Sequence, residues 1–259
     1  RVDDVTRLAA RTAVTFVDVT KKGERSFLFY RHPSADMEFE EAMLPLHAFG
    51  GDWLHVGSST LAREPSRTAT RMIVARAAAA GARLSVDLNV RRHLWPSATD
   101  LARATSPLVE RAHVLKVSED DLLALDLPGD VDGARRLHAK RHDRVTFLTL
   151  AARGAVGFWG DLEVRVRAPR ARAVDVTGAG DAFTAAALAT FVSTGAFSSG
   201  STTSEQLLER ALTLGCELGT RAITRLGATA ALRALGPMAR RMRAPLAAPP
   251  ARRHPSRRG

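Results

Sequence analysis

The sequence predicts an α/β fold, a mostly parallel sheet sandwiched by helices with a small β lid near its start. Three observations predict it. Short apolar runs alternate with longer helical patterns from about residue 53 onward, as repeated β-α-β units require. The helical stretches carry cap and stop residues, such as Ser118 before one and Gly81 after another. Two short polar connections containing glycine, at Gly23 and at Gly160-Asp161, suit hairpins instead. A chain of 259 residues is long enough for one such domain with a full hydrophobic core.

Taken in order, Ala13–Val19 and Arg25–Tyr30 are expected as the lid strands, joined through Lys21-Lys22-Gly23-Glu24. Trp53–Gly57 reads as a strand, Glu64–Ala80 as a helix stopped by Gly81, Leu84–Leu88 as a strand and Thr99–Arg111 as a helix. Val114–Val117 is a strand, and Ser118 caps a short helix through Ala124. A helix near Val131–Lys140, the strand Val145–Leu150 and a hairpin over Ala155–Arg167 follow, then helices Ala182–Ser193 and Ser204–Ile223. The folded domain is expected over residues 1–236, with 237–259 a disordered Arg/Pro/Ala tail. In parallel sheets ligands lie beyond the carboxyl ends of the strands. The loops after Leu88, Val117, Leu150 and Val174 should therefore converge on one crevice.

Composition narrows the function. The apolar fraction of 45% and charged fraction of 25% are those of a soluble globular protein. No run approaches the ~18 apolar residues of a membrane span, so no membrane association is expected. A single cysteine, Cys216, leaves no disulfide framework or cysteine-based metal cluster, and the start lacks a signal-peptide pattern. Both points suggest a cytoplasmic setting. Of the net charge of +11, seven arginines belong to the acid-free stretch 236–259. That tail has no aromatic interleaving for base stacking, which argues against nucleic acid as a partner.

The strongest local signal is Asp175-Val176-Thr177-Gly178-Ala179-Gly180-Asp181, running into the helix-forming stretch Ala182-Phe183-Thr184-Ala185-Ala186-Ala187-Leu188. Two glycines let backbone approach an anion closely. The N–H groups of Gly178, Ala179 and Gly180 would sit at a helix start, where unpaired donors and the dipole favour phosphate. A carboxylate beside a bound polyphosphate has one good use, taking a proton from a hydroxyl as it attacks phosphorus. By spacing alone, a plain turn with an acidic cap fits equally well. Elsewhere, His138 and His142 lie four apart without a third ligand and read as solvated, and Cys216 reads as a small buried hydrophobe. Trp53, Trp95 and Trp159 read as packing residues.

With these residues in view, the chain resembles the ribokinase-like (PfkB) carbohydrate kinases, most closely their fructokinase branch. The family signature Asp-Thr-Thr-Gly-Ala-Gly-Asp is matched by Asp175–Asp181 with only Val176 departing. Further resemblance runs through Gly23-Glu24-Arg25-Ser26-Phe27, Phe29-Tyr30-Arg31, Pro33-Ser34-Ala35-Asp36-Met37, Asp87-Leu88-Asn89-Val90-Arg91 and Val114-Leu115-Lys116-Val117-Ser118. The resemblance implies ATP-dependent phosphorylation of a sugar hydroxyl, with Mg2+ and in some members K+. It implies Asp181 as general base, with Gly178, Ala179 and Gly180 as the anion hole. Asp175 and Thr177 match positions that hold a monovalent cation in several members. Tyr30, Arg31 and Arg91 match sugar contacts, though Tyr30 also reads as a strand aromatic and the arginines as solvated. Ser118 and Asp121 stand where many members have Asn-x-x-Glu, tied to magnesium and phosphate; Asp121 is one methylene shorter. Thr149 and Gly154 belong to the segment that cradles nucleotide phosphates. A homodimer through the lid strands is a further expectation.

Two departures qualify the resemblance. Thr149-Leu150-Ala151-Ala152-Arg153-Gly154 has Ala151 where the family has glycine, which adds a Cβ where positive φ is needed. Family members also begin with a strand and a Gly-Gly-x-x-x-Asn sugar motif, so the first β-α units are expected to be missing here. A 2-keto-3-deoxygluconate kinase and a non-catalytic kinase-like scaffold are the alternative readings.

Overall fold

The computed structural model describes residues 5–19, 25–31, 33–44, 51–197, 204–232 and 235–244. The expected connection at Lys21–Glu24 and residues 245–259 of the expected tail lie outside them. The chain divides into two compact units, residues 1–151 with 155–163, and residues 152–154 with 164–259.

In the first unit, β1 (Val14–Val19) and β2 (Arg25–Tyr30) form the expected antiparallel pair. Val14 lies opposite Tyr30 and Phe16 opposite Leu28, so these four side chains share one face, and all four are exposed. The main sheet starts with β3 (Trp53–Gly57), β4 (Arg83–Asp87), β5 (Val114–Ser118) and β6 (Val145–Thr149), parallel and in sequence order. The antiparallel strand β7 (Ala155–Trp159) pairs with β6, and β8 (Leu162–Val166) completes the order. The boundary between the two units runs through β8. Continuous apolar runs make β5, β6 and β7 buried along nearly their whole length, as strands covered on both faces must be.

Helices α1 (Ser66–Ala79), α2 (Ala98–Arg111), α3 (Glu119–Ala124) and α4 (Val131–His138) occupy the connections. Their ends follow local chemistry. Ser97 Oγ accepts from Asp100 N–H at 3.0 Å to start α2, and Asp130 accepts from Gly133 N–H at 3.1 Å to start α4. The core joins Val86, Leu115, Val117, Leu148 and Val156 of the sheet to Leu101 and Leu108 of α2 and to Leu137 of α4. Removing a side chain such as Leu115 would cost about 2–5 kcal/mol.

Arg144 and His138 are among the polar side chains buried inside this unit. Arg144 is 1% exposed, and its Nε donates to Thr146 Oγ1 at 3.0 Å. Its terminal nitrogens donate to the carbonyls of Val109, at 2.8 Å, and Leu137, one in the last turn of α2 and one in that of α4. A single guanidinium thus satisfies carbonyls that have no helical partner. Burial, then the neighbouring Arg141, brings its pKa down to about 10, and it keeps its charge at neutral pH.

His138, expected as solvated, is instead 3% exposed. The Thr146 hydroxyl accepts from Arg144, so its own proton points to His138 Nδ1 at 3.1 Å, and His138 Nε2–H donates to the Gly160 carbonyl at 3.0 Å. Burial favours the neutral ring. Helical spacing could not show that the strand behind α4 carries a threonine to receive this ring.

The second unit holds α5 (Ala179–Thr194) and α6 (Glu205–Ala222), packed through Ala182, Ala186, Leu214, Leu218 and Ala222. Cys216 is buried as expected, and burial followed by the adjacent Glu217 pushes its thiol up to about 11. Part of the expected disordered tail is ordered: Gly236–Arg243 form α7. Met242 joins the α5–α6 core, Ser193 Oγ donates to the Met242 carbonyl at 2.7 Å, and Arg241 clasps Glu217 with both terminal nitrogens. Composition alone hid the apolar residues, Met238 and Met242, spaced four apart on one helix face.

Burial, then like charge from arginines, also lowers the pKa of His113, whose Nδ1 accepts from Leu84 N–H at 3.1 Å. For His138 burial is likewise the leading cause of the lowered value. A depressed folded-state histidine contributes stability that is full above its unfolded pKa of about 6.5 and declines as pH falls through the folded value. Thermal stability should therefore begin to fall below about pH 6.5, before the carboxylates titrate. His138→Gln should flatten part of that decline; a melting temperature constant between pH 7.5 and 5 would contradict the assignment.

Candidate active site

The anion loop belongs to the second unit and is built around one carboxylate. Asp175 Oδ1 accepts from Thr177 N–H at 3.0 Å, and Oδ2 accepts from Gly227 N–H at 2.9 Å. The N–H groups of Val174 and Asp175 both donate to the Ile223 carbonyl, at 2.8 and 3.2 Å. The loop is thereby tied to the end of α6 and to the turn beyond it. Gly178 then caps α5 with φ +80°. An added Cβ there would lie 3.0 Å from both the Cβ and the carbonyl oxygen of Ala228, so glycine is needed for conformation and for space.

Past this turn the helix leaves donors over. Ala179 N–H is satisfied by the Val176 carbonyl at 3.2 Å, while Gly178 and Gly180 donate to no backbone carbonyl among the described residues. Asp181 lies exposed in the first turn of α5. Asp175, Thr177, Gly178, Ala179, Gly180 and Asp181 are therefore gathered within one loop and helix start. Exposed N–H donors at a helix start suit a phosphate, and a carboxylate beside them suits a proton acceptor.

In the first unit the loops after β4 and β5 are joined by Asp121. Its Oδ2 accepts from Ser118 N–H at 2.8 Å, while Ser118 Oγ accepts from Asp121 N–H at 3.2 Å, a reciprocal capping box. Its Oδ1 accepts from Val90 N–H at 2.6 Å. At 2% exposure the carboxylate works as a strut between the β4 loop and α3. Thr149 Oγ1 reaches the Val117 carbonyl at 3.4 Å, which adds the β6 loop to the same end of the sheet.

Ala151, the departure noted in the sequence, does adopt φ +50°. Gly154 adopts φ +101°, and an added Cβ there would lie 2.0 Å from the Val166 carbonyl oxygen. The remaining sequence candidates lie on the lid side. Tyr30 is exposed, Arg31 is paired with Asp36, and Arg91 Nη1 donates to Asn89 Oδ1 at 2.6 Å.

Two pairs escaped the sequence. Phe29 stacks on His93, ring centroids 4.5 Å apart and 21° from parallel. Burial, then Arg91 and Arg31, lowers the His93 pKa, so both guanidiniums lie within electrostatic reach of that ring. Asp87 and Lys116 face each other in register across β4 and β5, with Nζ 3.1 Å from Oδ1, both buried. A charged residue inside each apolar strand was the available signal.

Ala151→Gly should relieve the left-handed strain of an alanine and raise stability by about 1 kcal/mol. Denaturant titration checks this, and a lower midpoint would contradict the strain.

Residues 2–235 match the pfkB family carbohydrate kinase pattern. The chain is 34% identical to a fructokinase of Salmonella typhimurium over 223 residues, 86% of this chain and 71% of that one. It is 38% identical over 184 residues to a probable chloroplastic fructokinase-6 of Arabidopsis thaliana, 69% of this chain but 47% of that protein, and so spans about half of the latter. The fructokinase of Vibrio cholerae, solved with fructose, ADP and calcium, superposes with a TM-score of 0.75 at 30% identity, over 87% of this chain and 71% of the other. Aminoimidazole riboside kinase of Salmonella enterica, solved with aminoimidazole riboside and an ATP analogue, gives 0.70 at 28% identity, over 84% and 71%. The chain belongs to the pfkB family of carbohydrate kinases.

Proposed function

We propose that this protein transfers the γ-phosphoryl group of ATP to a hydroxyl of a sugar, most nearly as a fructokinase does. One observation carries the reading: an exposed carboxylate, Asp181, in the same helix turn as the uncommitted N–H groups of Gly178 and Gly180. Asp181 takes the proton from the sugar's primary hydroxyl as its oxygen attacks phosphorus. The Gly178 and Gly180 amides receive the charge that spreads over the equatorial oxygens, with Ala179 N–H joining them only on leaving the Val176 carbonyl, and Asp175 holds the loop in place. Ser118 and Thr149 of the first unit and Gly154 of the second are assigned to nucleotide contact, and Tyr30, Arg31 and Arg91 of the first unit to sugar contact.

The metals of the family fit these residues unequally. Among the described residues no cluster of three or more His, Cys, Asp or Glu side chains could hold an ion. Asp121 already spends both oxygens on backbone amides. Mg2+ would therefore be carried chiefly on the nucleotide's phosphates, with Asp121 reaching it through water. A bound K+ would draw on Asp175 and Thr177, whose contacts already order the loop.

A second reading rests on the pair of guanidiniums near His93. Arg31 and Arg91 would suit a sugar acid, the ground for a 2-keto-3-deoxygluconate kinase as the alternative, with Arg31 first having to leave Asp36. Coupled ADP-release assays with fructose, ketodeoxygluconate and ribose separate the two. Asp181→Asn should lower kcat on the accepted sugar about 10²–10⁴-fold, the usual contribution of a general base. Undiminished turnover in that variant would remove Asp181 from the role.

A further inference from the structure

The chain leading into the Gly178 loop is strongly basic. Arg165 lies on β8, Arg167, Arg170 and Arg172 follow it, and no acidic residue intervenes between Glu163 and Asp175. Arg167, Arg170 and Arg172 are exposed and make no ion pair or hydrogen bond with any described residue. Arg225, also exposed and unpaired, lies two residues before Gly227, the residue that Asp175 Oδ2 holds. Unpaired guanidiniums therefore flank the anion loop on both chain segments that Asp175 ties together.

Charges left solvated and unpaired add little to fold stability. Their physical effect is a positive potential extending about 10 Å at 0.1 M salt. Such a field gathers anions and raises association rates about 10–10³-fold, an effect that salt removes. The loop that these arginines flank along the chain carries the free amides of Gly178 and Gly180 and the carboxylate of Asp181. Asp181 repels an incoming polyphosphate, and the arginines outweigh that repulsion at a distance without touching the reacting atoms. No aromatic residue lies between Trp159 and Phe183 to stack a base, so the strip recognises charge alone and lacks the interleaving of a nucleic-acid groove.

We propose that Arg167, Arg170, Arg172 and Arg225 form an electrostatic collector that steers the nucleoside triphosphate's polyphosphate onto the anion loop. This rests on the kinase reading above and deepens it: the arginines govern nucleotide arrival, and Asp181 governs transfer.

Stopped-flow binding of a fluorescent ATP analogue tests the proposal without turnover. The triple variant R167Q/R170Q/R172Q should lower the association rate about tenfold at low salt and leave the dissociation rate unchanged. The difference should vanish near 0.5 M salt, and a fluorescent AMP analogue should lose less than the triphosphate. A second measurement needs no variant: the association rate of the unsubstituted chain should fall steeply with salt. A salt-independent rate there, equal rates at low salt, or a change confined to dissociation would each overturn the collector. So would an RNA oligonucleotide whose binding the substitutions abolish while ATP-analogue association is untouched. Failure of the unsubstituted chain to bind the ATP analogue at all would instead remove the kinase reading, and the collector with it.

Discussion

The left-handed turn at Gly178 is the constraint on which the proposed chemistry depends. Its positive φ aims the start of α5 so that the Gly178 and Gly180 amides remain without backbone acceptors. An isolated turn of this kind would be one conformer among many. Asp175 selects it by accepting from Thr177 on one side and Gly227 on the other, two bonds to N–H groups from a single ionised side chain. The loop's own hydrogen bonds thus fix its amides, and fixed dipoles are effective for a developing charge.

The first unit uses the same device at another place. Asp121 accepts from the amides of Ser118 and Val90 and so fixes the ends of β4 and β5 relative to each other. In both units a short acidic side chain is spent on backbone amides, which leaves irregular loops ordered without regular secondary structure. This bears on the magnesium role the resemblance implies for Asp121, because its charge is already engaged.

Much of this was legible in the chain. Strands β3 and β6 and the helices α2 and α6 lie within a residue or two of where apolar periodicity and caps put them. Ser118 was readable as a cap, and Ala151 as an alanine forced to a glycine's φ. The features that escaped are those whose partner is distant in sequence. His138 is buried because Thr146 and Gly160 receive its two nitrogens, and α7 is ordered because Met242 finds the α5–α6 core. Lys116 lies within an apolar strand because Asp87 on the next strand meets it in register. A local pattern carries the period of an element but not the identity of what it packs against.

In the proposed chemistry Asp181 takes a proton and contributes no attraction to the nucleotide. Calorimetric titration of ATP into Asp181→Ala, beside the unsubstituted chain, tests that separation most directly. Removing a carboxylate next to a polyphosphate should leave binding as tight or tighter while turnover is lost. Weaker binding together with retained turnover would contradict the account.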